Sequence, residues 1–150
     1  MMQEEKELLL KDLCSRLNTN LVCSIYRTDD QGIGYRDEIL HGYCKGDIWY
    51  EFYFGEDCGI CIDNVSKIKP YLLPISSMTE EQKRECFKGT PLEIDKYGTI
   101  AVKDDLYGNS QYTDLEIYLE VIDKLNKNHI DYRGLIPMGL AIDATDKNIY

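Results

Sequence analysis

From Gln3 to Leu17 the apolar positions Leu9, Leu10, Leu13, Cys14 and Leu17 recur at the spacing of one helix face, and Glu4, Glu5, Lys6, Lys11 and Asp12 fall mainly on the other side. The pattern predicts an amphipathic helix with acidic residues at its positive N-terminal end. Asn18, Thr19 and Asn20 supply an exit that can adopt the angles of a helix stop. The period then changes to two. Leu21 to Arg27, Tyr35 to Cys44, Asp47 to Phe54 and Cys58 to Asp63 are β-prone runs, parted by the loop TDDQGIG (28–34), by Lys45 and Gly46, and by Gly55, Glu56 and Asp57. These runs predict an antiparallel meander. In IWYEFYF, alternation places Ile48, Tyr50, Phe52 and Phe54 on one face and Trp49, Glu51 and Tyr53 on the other; two largely apolar faces mark a covered strand.

Ile68 to Cys86, IKPYLLPISSMTEEQKREC, is punctuated by Pro70, Pro74 and a serine pair and reads as a rigid connector. It leads into a short polar helix, capped by Ser77 with Glu80 or Thr79 with Gln82, that ends near Gly89. Short β-prone pieces follow at Leu92 to Ile94 and Thr99 to Lys103. Thr113 and Glu116 then form a capping box for a helix in which Leu115, Tyr118, Leu119, Ile122 and Leu125 recur up to about Asn128. Gly134, Pro137 and Gly139 predict a tight turn or a single helical turn before a short extended piece at Leu140 to Asp143. The whole predicts a single α+β domain over residues 1–150, an antiparallel sheet of about four to six strands flanked by an N-terminal and a C-terminal amphipathic helix.

Composition adjusts this picture in three places. At 150 residues, with 43% hydrophobic and 29% charged side chains, the chain can bury one core without disulfide staples. A net charge of −10 opposes direct binding to nucleic acid, whose affinity is carried by lysine and arginine on phosphates, and suits a basic protein surface or mimicry of a nucleic acid. The opening MMQEEKELLLKDLC lacks the long apolar run of a secretory signal or a membrane span, which points to the cytoplasm and away from membranes; there, six cysteines are expected as free thiols.

Candidate chemistry is sparse. His41-x2-Cys44 followed by Cys58-x2-Cys61 has the spacing of a zinc ribbon, although alternation along a strand would send the two sulfurs of the second pair to opposite faces. A small zinc-ribbon-like module on His41, Cys44, Cys58 and Cys61 is therefore an alternative reading. The same Cys58-x2-Cys61 has no helix after it to activate a thiolate. Gly32-x-Gly34 lacks the third glycine of a dinucleotide fingerprint, with Asp37 in its place. Only His41 and His129 can act as bases near neutral pH, and His129, at a helix end, reads as a complement to the helix dipole. No catalytic residue and no cofactor are expected. Twelve tyrosines against three phenylalanines and one tryptophan favour half-exposed aromatic surfaces, and Tyr35, Tyr43, Tyr50, Tyr53, Tyr97, Tyr107 and Tyr112 are the candidate ligand-binding set.

Three segments, LLLKDLCSRL at Leu8 to Leu17, IKPYLLPISSMTEEQK at Ile68 to Lys83 and HIDYRGLIPMGLAID at His129 to Asp143, resemble short proteins of unassigned function encoded in phages, prophages and mobile elements of gut Bacteroidales. The resemblance implies an accessory protein working in a bacterial cytoplasm. Such a protein would act in counter-defence or host modulation by engaging a protein or a small nucleotide-like ligand through a tyrosine-rich face, without enzymatic activity. It transfers no catalytic or binding residue.

Overall fold

A computed structural model describes residues 1–29, 32–45, 50–55, 60–62, 64–103 and 115–150, with the backbone alone at 29, 50 and 60–62. Helix α1 spans Gln3–Ser15, as its periodicity predicts, and the chain leaves it through left-handed Asn18 (φ 67°) and Asn20 (φ 57°). Strands β1 (Val22–Asp29) and β2 (Gly32–Lys45) pair antiparallel from Val22↔Ile39 to Asp29↔Gly32. The loop expected at residues 28–34 is thus mostly ladder. Gly32, at φ 119°, takes an angle that side chains resist, and the strands stay paired almost to the hairpin tip. Strands β3 (Tyr50–Phe54) and β4 (Ile60–Ile62) complete the meander.

The proline-punctuated connector is itself a strand. After a 3-10 turn at Val65–Lys67, β5 (Ile68–Pro74) lies antiparallel to β1, with Ile25↔Ile68 and Cys23↔Pro70 in register. Its prolines cost the sheet little, because the strands on its far side join β5 from Tyr71 onward, past Pro70, and Pro74 is its last residue. Burial of Ile68, Tyr71 and Leu72 holds the segment in the sheet. Helix α2 (Glu80–Phe87) opens with the Thr79/Gln82 capping box, in which the Thr79 hydroxyl accepts from Gln82 N–H and the Gln82 side chain accepts from Thr79 N–H. Strands β6 (Leu92–Ile94) and β7 (Ile100–Val102) form a separate hairpin, and helix α3 spans Leu115–Lys127.

Two short strands then return to β5: β8 (Ile130–Asp131) pairs at Leu73 and Pro74, and β9 (Ile142–Asp143) at Tyr71 and Leu72. Both run parallel to β5. The α+β class is as expected, but the sheet, ordered β4-β3-β2-β1-β5-β8 with β9 also on β5, is mixed rather than antiparallel throughout. The long connection through α2, the β6–β7 hairpin and α3 gives the chain room to turn round and enter beside β5 in the same direction as β5 runs, which parallel pairing requires. Among the described residues, no helix is long and apolar enough to cross a membrane.

Two apolar clusters result. Leu9 and Leu13 of α1 pack with Cys23, Ile25, Leu40, Phe52, Phe54, Ile68 and Leu72 of the sheet. Cys86 and Phe87 of α2 and Val121 and Leu125 of α3 pack with Met78, Leu92 and Ile130. A polar cluster joins them. Asp12, expected on the outside of α1, is fully buried with Arg16, one turn further on. Arg16 donates from Nε and Nη2 to the two Asp12 oxygens at 2.8 and 3.1 Å, and Nη2 also donates to the Ile130 carbonyl at 2.8 Å. Arg133 Nε lies 3.2 Å from the same carboxylate, and Asn126 at the end of α3 donates to the Ser15 carbonyl at 3.1 Å.

Removing one partner of a fully buried pair strands the other charge, so Asp12→Ala should destabilise the fold by about 3–5 kcal/mol in urea denaturation. Lys83→Ala, which breaks only the surface pair with Glu80, should cost no more than about 1 kcal/mol. Equal small effects would show that the Asp12 pair does not hold the two clusters together.

Candidate binding surface

Register and alternation assign each strand residue to one of two sheet faces. Cys23 and Ile25 of β1, Leu40 of β2 and Ile68 and Leu72 of β5 point toward α1. Val22, Ser24 and Tyr26 of β1, Ile33, Tyr35, Asp37 and Ile39 of β2, and Lys69 and Tyr71 of β5 point the other way. Part of this second face is closed: Lys147 Nζ sits 5.6 Å from the Tyr71 ring centroid. Toward β2 it is open. Ile33 is 75% exposed, Tyr35 63% and Ile39 40%, and no described residue covers them.

The open part is ordered by its own contacts. Tyr26 and Tyr35 are direct cross-strand partners with ring centroids 5.2 Å apart in an edge-on arrangement. Beside them Tyr71 donates to Asp37 Oδ1 at 3.0 Å; burial and the neighbouring Asp37 both raise the phenol's pKa, so it stays a donor. Apolar rings and branched side chains on a hydrogen-bonded sheet lose little freedom when a partner covers them.

A β-bulge decides which tyrosines belong here. Leu40 pairs with Phe54 and Gly42 with Tyr53, leaving His41 extra, and the faces exchange beyond it. Tyr43 therefore falls opposite Phe52 and turns toward α1, its ring 6.2 Å from Phe52 and its hydroxyl at the Cys14 thiol, whereas Tyr53, between Phe52 and Phe54 of β3, lies on the open side by alternation, where its hydroxyl donates to Glu51 at 3.0 Å. Tyr97 stands on the turn between β6 and β7, away from both. The candidate tyrosines are thus divided among separate surfaces. For Tyr50 only the backbone is described, and Tyr107 and Tyr112 lie outside the described residues. Tyr26, Ile33, Ile39 and Tyr71 were not on the candidate list. For the β2 residues the signal is the alternation Ile33, Tyr35, Ile39, which the turn-prone composition of residues 28–34 masks.

Of the zinc-ribbon residues, His41 is the bulged residue of β2 and Cys44 is an exposed free thiol three positions on. Cys61 is described by its backbone, opposite Tyr53, and Cys58 lies outside the described residues. Among the described residues no three of His, Cys, Asp and Glu gather as a metal site.

His129 is not the charged helix complement its position suggested. It adopts a left-handed φ of 56°, is 8% exposed, and its ring stacks on Tyr150 with centroids 3.7 Å apart. Burial, and secondarily the Arg16 charge, push its pKa down to about 4, so the imidazole is neutral at pH 7 and sealed from solvent. Cys23 is pushed up by burial and is a thiol, not a nucleophilic thiolate.

No family model, no curated protein and no solved structure matches this chain.

The depressed His129 pKa has a signed consequence. The unfolded chain protonates this side chain below about pH 6.5, whereas the folded chain resists until about pH 4. The stabilisation is complete above about pH 6.5 and is lost over this window at about 1.4 kcal/mol per pH unit. Urea unfolding of the protein and of His129→Asn, which tolerates the left-handed angle, should show this slope only with histidine present; parallel pH profiles would refute the assignment.

Proposed function

We propose that the chain is a binding protein that engages a partner protein through the open face of β1, β2 and β3, as a phage or prophage accessory protein without catalytic activity of its own. The observation that carries the reading is the exposed row Ile33, Tyr35 and Ile39 beside the Tyr26–Tyr35 ring pair. Contiguous exposed apolar surface on a rigid element marks interaction sites, and tyrosine serves as an anchor there because its body is apolar and its tip hydrogen-bonds. The net charge of −10, with Asp37 and Glu51 on this side of the sheet, favours a basic partner surface.

Support for the phage setting comes from the three segments similar to phage and prophage proteins of gut Bacteroidales. They carry Asp12 and Arg16, strand β5, and His129 to Arg133, all of them framework. The row Ile33, Tyr35, Ile39 lies outside them, so the similarity supports the setting and the scaffold, and the choice of partner rests on the face alone.

A photo-crosslinking residue at Tyr35, introduced in the phage-bearing host, should capture one defined basic protein that the same residue at exposed Glu93 does not. With that partner in hand, Ile39→Lys should weaken binding at least about tenfold while changing stability by no more than about 0.5 kcal/mol. Identical capture from both positions, or binding indifferent to Ile39→Lys, would dispose of the reading.

A further inference from the structure

A cleft of about 380 Å³ opens between the end of β5, the tip of the β6–β7 hairpin and the segment after β8, within the size range of small-molecule sites. Ile75, Tyr97, Gly98, Tyr132, Arg133 and Pro137 line it. The hairpin wall is held close. Gly98 has a φ of 78°, and a side-chain carbon there would stand 3.2 Å from Ile75, so glycine both permits the turn and lets it rest against the apolar floor. On that turn the Tyr97 ring is 78% exposed, with Lys96 Nζ 4.9 Å from its centroid.

The opposite wall carries a positioned cation. Arg133 Nε lies 3.2 Å from Asp12, and its guanidinium carbon lies 4.9 Å from the Tyr132 ring centroid, on a ring that Arg16 approaches at 5.5 Å. Asp12 serves two guanidinium groups, and its direct hydrogen bonds go to Arg16. The terminal nitrogens of Arg133 make no hydrogen bond to the described residues, and its side chain is 26% exposed. Asp131, which also lines the cleft, directs both oxygens at the Leu135 and Ile136 amides at 2.8 Å, so its acceptors are committed to the turn that follows. An exposed ring facing a preoriented guanidinium across an apolar floor has the chemistry to take a flat ring bearing an anionic group.

We propose that this cleft binds a small planar ring compound carrying a carboxylate or phosphate, its ring against Tyr97 and its anionic group on Arg133. The site shares no residue with the open sheet face, so Ile39→Lys should leave it unchanged. Benzoate, phenyl phosphate, benzamide and inorganic phosphate, titrated separately into the labelled protein and followed by amide shifts, test it. Benzoate or phenyl phosphate should saturably shift Gly98, Thr99, Arg133 and Gly134, the tighter of the two identifying the anionic group. Benzamide and inorganic phosphate should bind at least about tenfold more weakly, and Arg133→Gln should weaken the preferred probe to a similar degree. Tyr97→Ala, at an exposed turn position that cannot unfold the domain, should do likewise and keeps the test valid if Arg133→Gln folds poorly. Absence of saturable binding by both anionic probes, benzamide binding as well as they do, or shifts confined to β2 and β3 would overturn the proposal.

Discussion

The Asp12–Arg16 pair is the contact on which the arrangement of the domain depends. It sits on the inner face of α1, within hydrogen-bonding reach of the first residue of β8, so one guanidinium ties the helix that covers the meander to the strand that follows α3. Arg133 and Asn126 add links from the segment after β8 and from the end of α3. A hydrophobic contact at this junction would tolerate sliding. Two buried charges and a carbonyl acceptor tolerate very little, because any misalignment leaves a desolvated charge without compensation. Register between α1, α3 and β5 is therefore set by polar geometry, while the apolar clusters on either side supply most of the free energy.

Around this junction the sheet is asymmetric. One face is covered by α1; on the other, among the described residues, Lys147 lies over the Tyr71 ring, and Ile33, Tyr35 and Ile39 are left exposed. The bulge at His41 sharpens the asymmetry by turning Tyr43 toward Phe52 and α1, off the face that Tyr35 and Ile39 occupy. The cleft beneath the β6–β7 hairpin is a second, separate surface. Its cation is held in place by the same Asp12 that locks the core, so the framework contact and the proposed anion site share a residue.

Much of this was legible in the chain, and the exceptions have a common form. The two long helices, the Thr79/Gln82 cap, the hairpin pieces at Leu92 to Ile94 and around Ile100, and the left-handed exit at Asn18 and Asn20 follow from local periodicity and backbone preference. The aspartates and glycines of residues 28–34 accept turn angles and spell a loop, yet cross-strand pairing extends the ladder through most of them. The prolines and serines of Ile68 to Cys86 spell a connector, because proline cannot complete a ladder, yet Ile68–Pro74 is a strand whose neighbours join it where the missing donors are not needed. The tyrosines could be counted but not assigned to a face, since a single bulge inverts the alternation beyond it.

The order of residues by itself determined the α+β class, the exit from α1, the cap of α2 and the strong net charge, because those depend on groups a few positions apart or on composition alone; the Thr113 cap expected for α3 lies outside the described residues. Only the tertiary structure decided that Asp12 is buried, that His129 is neutral, that β8 and β9 run parallel to β5, and that Tyr97 and Arg133 face one cleft. Each of these depends on groups far apart in the chain, whose desolvation and partners exist only once the chain has closed on itself.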